Sequence, residues 1–418
     1  MNPSPLTPRD AAIQILEQVR PQPPLRVPLD DALDGVLAED IISPINLPAW
    51  DNSAMDGYAV RSLDTRDATP EAPARLRVVE QIPAGHFPTN SIEPGTSARI
   101  FTGAPVPHGA DAVVRQEDTD QGSDNVAIGK PAEPGQNVRR AGEDIARGAT
   151  VLLAGTEIGP AHLGVLASLA FSNPMIYRRP RVGILSGGDE IADIDQPDEI
   201  LSGRKIASSN SHTLAALVRR AGGEPVNLGI ARDTPESLRE HLVRGFDCDL
   251  IITTGGISVG EHDFIRPVLA ELGGELRFWR LRMRPGAPVG FGMIGDIPWL
   301  GLPGNPVSTM VTFELFGRPA IRKICGRSRP FRAATQVTVA EPITLTARLQ
   351  HFLRVVLTNG KDGFEARLTG PQGSGILTSM LRADALLIVP EGQFQTPSGA
   401  KAQALVLDSP THQELPPF

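Results

Sequence analysis

Apolar and polar positions divide the chain into stretches of different period. In "MNPSPLTPRDAAIQILEQVR", Ile13, Leu16 and Val19 fall at helical spacing. Thr7 reads as the N-cap, Pro8 as the first-turn proline and Asp10 as the acid of a capping box, and Pro21, Pro23 and Pro24 stop the helix. From Trp50 to Ile145 the pattern changes to short β-rich runs such as "ARLRVVE" and "DAVVRQED", cut by Pro and Gly clusters, which predicts a small all-β unit. Residues 156–170, "TEIGPAHLGVLASLA", return to a helical period. The early helix and this one are therefore expected to form a joint helical part into which the β unit is inserted.

Between Arg181 and Arg322, the runs "RVGIL", "EPVNLGI" and "DLIITT" are nearly continuous in apolar residues, and each leads through a turn into a helix-like segment. Parallel strands need long crossovers, so this alternation predicts a mostly parallel sheet covered by helices on both faces. Beyond Pro330, "TQVTVAEPITLTARLQHFLRVVL" and "RADALLIVPEG" restore alternation and predict a final β domain. The expected boundaries are 1–46 with 146–176 for the helical part, 47–145 for the inserted β domain, 177–327 for the α/β domain and 328–418 for the last.

A length of 418 residues fits several domains. The net charge of -8 argues against a broad nucleic-acid or acidic-membrane surface and leaves small anions open as ligands. Only Cys248 and Cys325 are present, which provides no disulfide framework and no CxxC knuckle, and the eight histidines show no HxxxH or HxH spacing. No secretory signal or spanning segment is visible, so a soluble cytoplasmic protein with no membrane or nucleic-acid partner is expected.

Candidate chemistry gathers in loops that leave predicted strands: "SGGDE", "TGGISVGEHD" and "LPGNPVS". In an open parallel sheet such loops collect along one edge, the usual ligand crevice. Asn305 is the expected N-cap of a helix with Pro306 in its first turn, and the Ser308 hydroxyl lies near free backbone N–H groups that favour an anion. Each Gly-rich loop alone could equally be a tight turn. The GxxxxGK[ST] signature is missing, which excludes ordinary P-loop chemistry. Asp189, Glu190 and Asp263 border this corner, where a divalent cation such as Mg²⁺ would offset their charge against phosphates; helix capping is the alternative for Asp263. In "FWRLRMRPGAP", Arg280, Arg282 and Arg284 share one face of an extended run, either as an oxyanion clamp or as a solvated edge. "WDNSAMDGYAV" packs Asp51, Asn52, Ser53 and Asp56 into one turn-prone stretch, as a loop that presents oxygens would.

"DNSAMDGYAV", "TGAPVP", "GQNVRRAGEDI", "GGDE", "TTGGISVGEHDF", "GLPGNPVS" and "GPQGSGILTSMLRADALLIVP" occur in the order and spacing of molybdopterin molybdenumtransferases, and over nearly all its length the chain resembles this MoeA and gephyrin E-domain family. The resemblance implies an elongated homodimer of helical, inserted β, doubly wound MogA-like α/β and carboxyl-terminal β-barrel parts. It implies that adenylylated molybdopterin and molybdate are substrates, that AMP is released with Mg²⁺ help, and that a molybdopterin adenylyltransferase and recipient molybdoenzymes are candidate partners. Functional positions then fall on Asp56, Thr102, Arg139 and Asp144 in the β part and on Glu190, Asp233, Asp263, Pro303 and Pro306 in the α/β part. Asp56, Asp144, Glu190 and Asp263 would be catalytic, with Glu190 and Asp263 on the metal. An oxyanion pocket maps to Ser258, Arg284, Pro288, Ser308, Arg354 and Ser374, with Arg280 as a further substrate contact. In the resembled family, the β part of one subunit faces the partner's α/β cleft.

Departures from that pattern cluster at the same place. Arg280 and Arg284 stand where lysines are usual, Ala287 replaces a further lysine, and Ser208 replaces an acid two residues before Asn210. An active insertase, a paralogue that binds or delivers the pterin nucleotide without efficient insertion, and a structural partner of molybdoenzymes are the competing readings.

Overall fold

The computed structural model describes residues 5–255, 264–361 and 363–407. The chain divides into two compact units, Met1–Val27 with Ala32–Ala38 and Met175–Phe418, and Pro28–Asp31 with Glu39–Pro174.

In the first unit, the predicted apolar runs form a six-stranded sheet in the order Glu224–Ala231, Arg181–Gly187, Leu250–Thr254, Ile297–Leu302, Gly290–Ile294, Gly274–Trp279. The first four are parallel and the last two add an antiparallel edge. Every residue of Leu250–Thr254 is buried, as a strand covered on both faces requires. Successive side chains alternate between the faces. Val182, Ile184, Leu250, Ile252 and Leu300 pack with Leu214 and Val218 of the helix Ser209–Ala221, while Leu185, Ile251 and Trp299 pack with Leu242, Val268 and Leu269.

The helix Pro8–Gln18 belongs to this unit and packs on the helix Arg318–Ile324. Thr7 caps it by accepting the Asp10 N–H, 3.1 Å, and donating to Asp10 Oδ2, 2.7 Å. Its buried face is Ala11, Ala12 and Ile15, continued by Val19, whereas Ile13 is 44% exposed. Two alanines let the backbones approach closely, so small residues rather than Ile13 define the contact. The other predicted helix, Pro160–Ser168, lies in the second unit.

Beyond residue 330, Gln350–Gly360, Gly363–Leu368, Ala334–Val339, Lys401–Val406 and Ala385–Val389 follow one another around a ring that closes on Gln350–Gly360, a five-stranded barrel. Met283–Arg284 pairs with the start of the long strand, Arg284 opposite His351.

The second unit holds a five-stranded sheet in the order Ala112–Arg115, Gly57–Val60, Thr96–Ile100, Ala74–Ile82, Asn125–Ile128, with separate apolar clusters around Tyr58 and Ala59. Among the described residues no helix is long and apolar enough to cross a membrane.

Candidate functional site

Where the parallel strands end, a cleft of 420 Å³ opens between Ser186, Gly187, Glu190, Ser208, Asn210, Thr254, Gly255, Pro288 and Pro303–Pro306. Two of the predicted loops converge there, and Thr254 and Gly255 bring in the third; Gly256–Asp263, with Ser258 and Asp263, lies outside the described residues. Gly255 has φ 83°, and a Cβ there would meet the Gly187 carbonyl oxygen at 2.6 Å, so two loops approach through bare backbone.

Pro303–Pro306 forms the cleft wall because Pro306 opens the helix Pro306–Thr312. Asn305 has the expected extended cap conformation, yet its side chain makes no capping hydrogen bond. The turn is held instead by Asn210 Nδ2 donating to Gly304 O, 2.7 Å, and Thr309 Oγ1 donating to Pro303 O, 2.5 Å. Ser308, in the first turn of that helix, is buried and is not among the residues that line the cleft.

The arginine run also differs from the single strand expected of it. Arg280 has φ 99° and ends the strand, because its N–H bonds Val289 O and the Leu281 N–H bonds Ala287 O, folding 280–289 back on itself. Alternate burial survives the break: Leu281 and Met283 are buried, Arg280 and Arg284 exposed, and Arg282 half-buried with its Nε 3.6 Å from Glu391 Oε2. At Gly286, φ 91°, a Cβ would meet Thr312 Cγ2 at 2.4 Å, so the Gly286–Pro288 loop lies directly on the helix that Pro306 opens.

Arg354 is fully buried on the barrel strand three residues beyond His351. Its Nε donates to Ser379 Oγ, 3.1 Å, and its Nη2 to Gly373 O, 3.0 Å. Both acceptors are neutral, and among the described residues no carboxylate offsets the charge; burial pushes the guanidinium down to about 10. Next to Gly373, Ser374 O accepts the Val307 N–H, 3.2 Å, which ties this barrel loop to the helix start. Arg284, Pro288, Pro303, Pro306, Ser308, Arg354 and Ser374 are thus gathered around one corner of the first unit.

Glu190 is exposed on the cleft wall and folds back over Gly188, where a Cβ would meet Glu190 Oε2 at 2.5 Å. Asp233 borders a 30 Å³ hollow that shares Ser186, Gly187, Thr254 and Gly255 with the cleft, and its Oδ2 accepts the Asp189 N–H, 3.2 Å. Among the described residues no three His, Cys, Asp or Glu side chains group as a metal site.

In the second unit, Asp56 Oδ1 accepts from both Thr102 N and Thr102 Oγ1 at 2.8 Å, and the Thr102 backbone bond, then the hydroxyl, holds its carboxyl below the usual range. Gly57 follows because a Cβ there would meet Val114 O at 1.9 Å. Arg139 and Asp144 are exposed on a segment running antiparallel to 47–53: Arg139 pairs with Asn52, and the Asp144 N–H bonds Leu47 O. Asp51 fastens the two segments by accepting from Ala141 N, 2.8 Å, and pairing with Arg140 Nη1, 2.6 Å.

Family models match the MoeA N-terminal region (domains I and II) over residues 6–170, a probable molybdopterin binding domain over 183–323 and the MoeA C-terminal region (domain IV) over 336–407. Molybdopterin molybdenumtransferase 2 of Mycobacterium tuberculosis is 40% identical over 93% of this chain and 96% of its own length. The chain belongs to the MoeA family of molybdopterin molybdenumtransferases. The Nostoc molybdopterin molybdenumtransferase is 37% identical over 89% of this chain and 86% of its own length. A crystal structure of the moeA molybdopterin biosynthesis protein of Pyrococcus horikoshii OT3 superposes with a TM-score of 0.83 at 29% identity, covering 96% of this chain and 100% of that one.

This MoeA chain also carries cleft groups that the motifs did not single out as contacts. Ser208 Oγ lies 3.3 Å from Ser186 Oγ and 2.9 Å from Ser211 Oγ, so a neutral hydroxyl cluster stands here, with Ser186 and Ser208 buried. Lys205, next to the lining residue Ile206 but not itself on the cleft wall, donates from Nζ to Asp189 O. Ser186 was legible as the first residue of "SGGDE"; Lys205 had no signal beyond nearness to Ser208.

Proposed function

We propose that this MoeA-family chain transfers molybdenum from molybdate to adenylylated molybdopterin and releases AMP. The observation that carries this reading is Arg354: a fully buried guanidinium held by the neutral Ser379 Oγ and Gly373 O, with no carboxylate beside it among the described residues, is a place where an anion would offset the charge. Molybdate would take that place, with Arg284 on the opposing strand pair and the backbone around Ser374 and Val307 as its rim.

The nucleotide would lie along the cleft from Pro303–Pro306 towards Glu190. The hydroxyls of Ser186 and Ser208 offer it neutral donors, and Asn210 fixes the Gly304 turn beside it. We take the divalent cation to be Mg²⁺. It commonly uses one or two carboxylates and completes its shell with phosphates and water, so Glu190, with Asp263 as its expected companion, fits that donor set. When bound, the ion would neutralise phosphate charge. The assembly we infer is a homodimer, in which the Asp56, Thr102, Arg139 and Asp144 face of one subunit completes the cleft of the other. A cytoplasmic location accords with two buried, reduced cysteines, whose thiols desolvation pushes up to about 11 at Cys248 and about 12 at Cys325.

Purified protein incubated with adenylylated molybdopterin, Mg²⁺ and molybdate should release AMP together with active cofactor. Tight nucleotide binding without that release would reject the transfer reading. Restoring the missing charge by Ala287→Lys should tighten molybdate dependence by about tenfold, the effect of one charge-assisted bond of ~1.4 kcal/mol.

A further inference from the structure

Trp50 and Phe87 are two exposed aromatic side chains of the second unit, 40% and 63% exposed, and they touch each other edge to face with centroids 4.8 Å apart at 65°. Single apolar residues at a surface need no explanation. These two rings are different, because Trp50 sits inside the ladder that carries Arg139 and Asp144. Arg139 pairs with Asn52 two residues to one side of Trp50, and on the other side the Gly142 and Asp144 N–H groups bond Pro48 O, 2.9 Å, and Leu47 O, 3.1 Å. The backbone on either side is pinned as well: the Val106 N–H bonds Asp51 O, 2.9 Å, and Asp51 holds Arg140 and Ala141. An indole held between two antiparallel backbone segments and braced by a second ring, with Arg139 and Asp144 at the two ends of that pairing, provides an apolar face between polar positions.

We propose that Trp50 and Phe87 form a ring-binding subsite for the fused two-ring heteroaromatic part of the nucleotide substrate. Stacking needs only a flat π-face, which a pterin and an adenine both have. Arg139, a cation, would suit the phosphate side and Asp144, an acceptor, the N–H groups of the ring edge. This subsite rests on the nucleotide-transfer reading above and adds a ring contact to it.

Tryptophan fluorescence of the full-length protein tests it. Of the three tryptophans, Trp299 is fully buried and Trp279 stacks on it, with the Arg266 guanidinium 4.3 Å over its ring, so Trp50 is the solvent-facing reporter. Adenylylated molybdopterin, a phosphorylated pterin, AMP and pyrophosphate are titrated in turn. Saturable quenching by the first is expected, and whichever of the pterin and AMP reproduces it names the ring. Trp50→Ala and Phe87→Ala should each weaken adenylylated molybdopterin binding, read by competition or calorimetry, by about tenfold. Trp50→Phe should restore most of the affinity, and pyrophosphate, which has no ring, should bind all variants alike. Unchanged affinity in both alanine variants overturns the subsite and leaves the nucleotide reading intact. Failure of the unaltered protein to bind adenylylated molybdopterin overturns both.

Discussion

The corner at Arg354 and the face at Asp56 hold charge in opposite ways. Arg354 is fully buried on the barrel strand, its guanidinium donating to Ser379 Oγ and Gly373 O, and its lowering from 12.5 to about 10 corresponds to about 3 kcal/mol against the charged form. Asp56 is half-buried, and the two Thr102 donors make its carboxylate comfortable where it stands. The first region stores a cost that an incoming anion would relieve. The second is satisfied on its own through Thr102, and Thr102, Arg139 and Asp144 of that unit are exposed to water. The contrast separates a buried charge held only by neutral acceptors among the described residues from a surface whose chemistry depends on what is brought against it.

Deleting the stored charge is the strongest way to break that contrast. Arg354→Met keeps the volume and removes the guanidinium. Turnover in the coupled assay should fall by about 10²–10³, the usual consequence of losing one preorganised donor. Stability should stay level or rise, since a well-packed apolar group often replaces a buried ion at no cost. Molybdate should raise the melting temperature of the unaltered protein and leave that of the variant where it was, because only the former gains by binding. A variant that still turns over, or that melts higher with molybdate, would show that the oxyanion sits elsewhere.

A second experiment asks whether the exposed face and the cleft work on different subunits. Asp56→Asn and Glu190→Gln should each lower turnover by about 10², as removal of a group acting in the reaction does. Equal amounts of the two variants, unfolded together and reassembled, would put about half of the chains in mixed dimers, each with one intact site of two, so about a quarter of the activity should return. No recovery would mean that both half-sites belong to one subunit. Singly altered proteins with normal turnover would remove Asp56 and Glu190 from the reaction altogether.

Much of the sheet was legible because a strand buried on both faces leaves a run such as "DLIITT" that little else explains, and Leu250–Thr254 is indeed buried throughout. The barrel was legible as alternation, although its closure through Gln350–Gly360 and Ala385–Val389 joins residues whose pairing no local period encodes. Helix faces were harder to read. Ile13 scores as apolar and Ala11 barely does, but close helix contact selects the small residue, so the actual stripe ran through Ala11, Ala12 and Ile15. The arginine run failed for a different reason: Arg280 adopts a positive φ that only the cross-loop bonds of 280–289 make tolerable, and those bonds depend on tertiary structure. Charges were visible as residues, whereas isolation was not. Nothing in "HFLRVVL" distinguishes Arg354 from a solvated edge arginine; its meaning comes from the neutral shell around it.

The smallest expected effect sharpens the same point from the neighbouring strand position. His351 is buried on the barrel strand, its Nε2 3.2 Å from Ala347 O, with Arg284 opposite it in the ladder. Burial, reinforced by the Arg284 charge and only partly opposed by the Ala347 carbonyl, holds its pKa below the ordinary 6.5. In the window below 6.5, the unfolded chain therefore binds more protons than the folded one, and stability rises with pH there. The contribution is complete above about 6.5 and is lost as pH falls towards the lower folded value. Chemical denaturation at closely spaced pH values should show a shallow acid limb that His351→Leu abolishes. An anion beside Arg284 would cancel part of the charge that disfavours protonation, so saturating molybdate should make the limb shallower in the unaltered protein and change nothing in the variant. A limb of the same steepness with and without molybdate would mean that no anion binds near Arg284, and the preorganised corner would then have to be confined to Arg354.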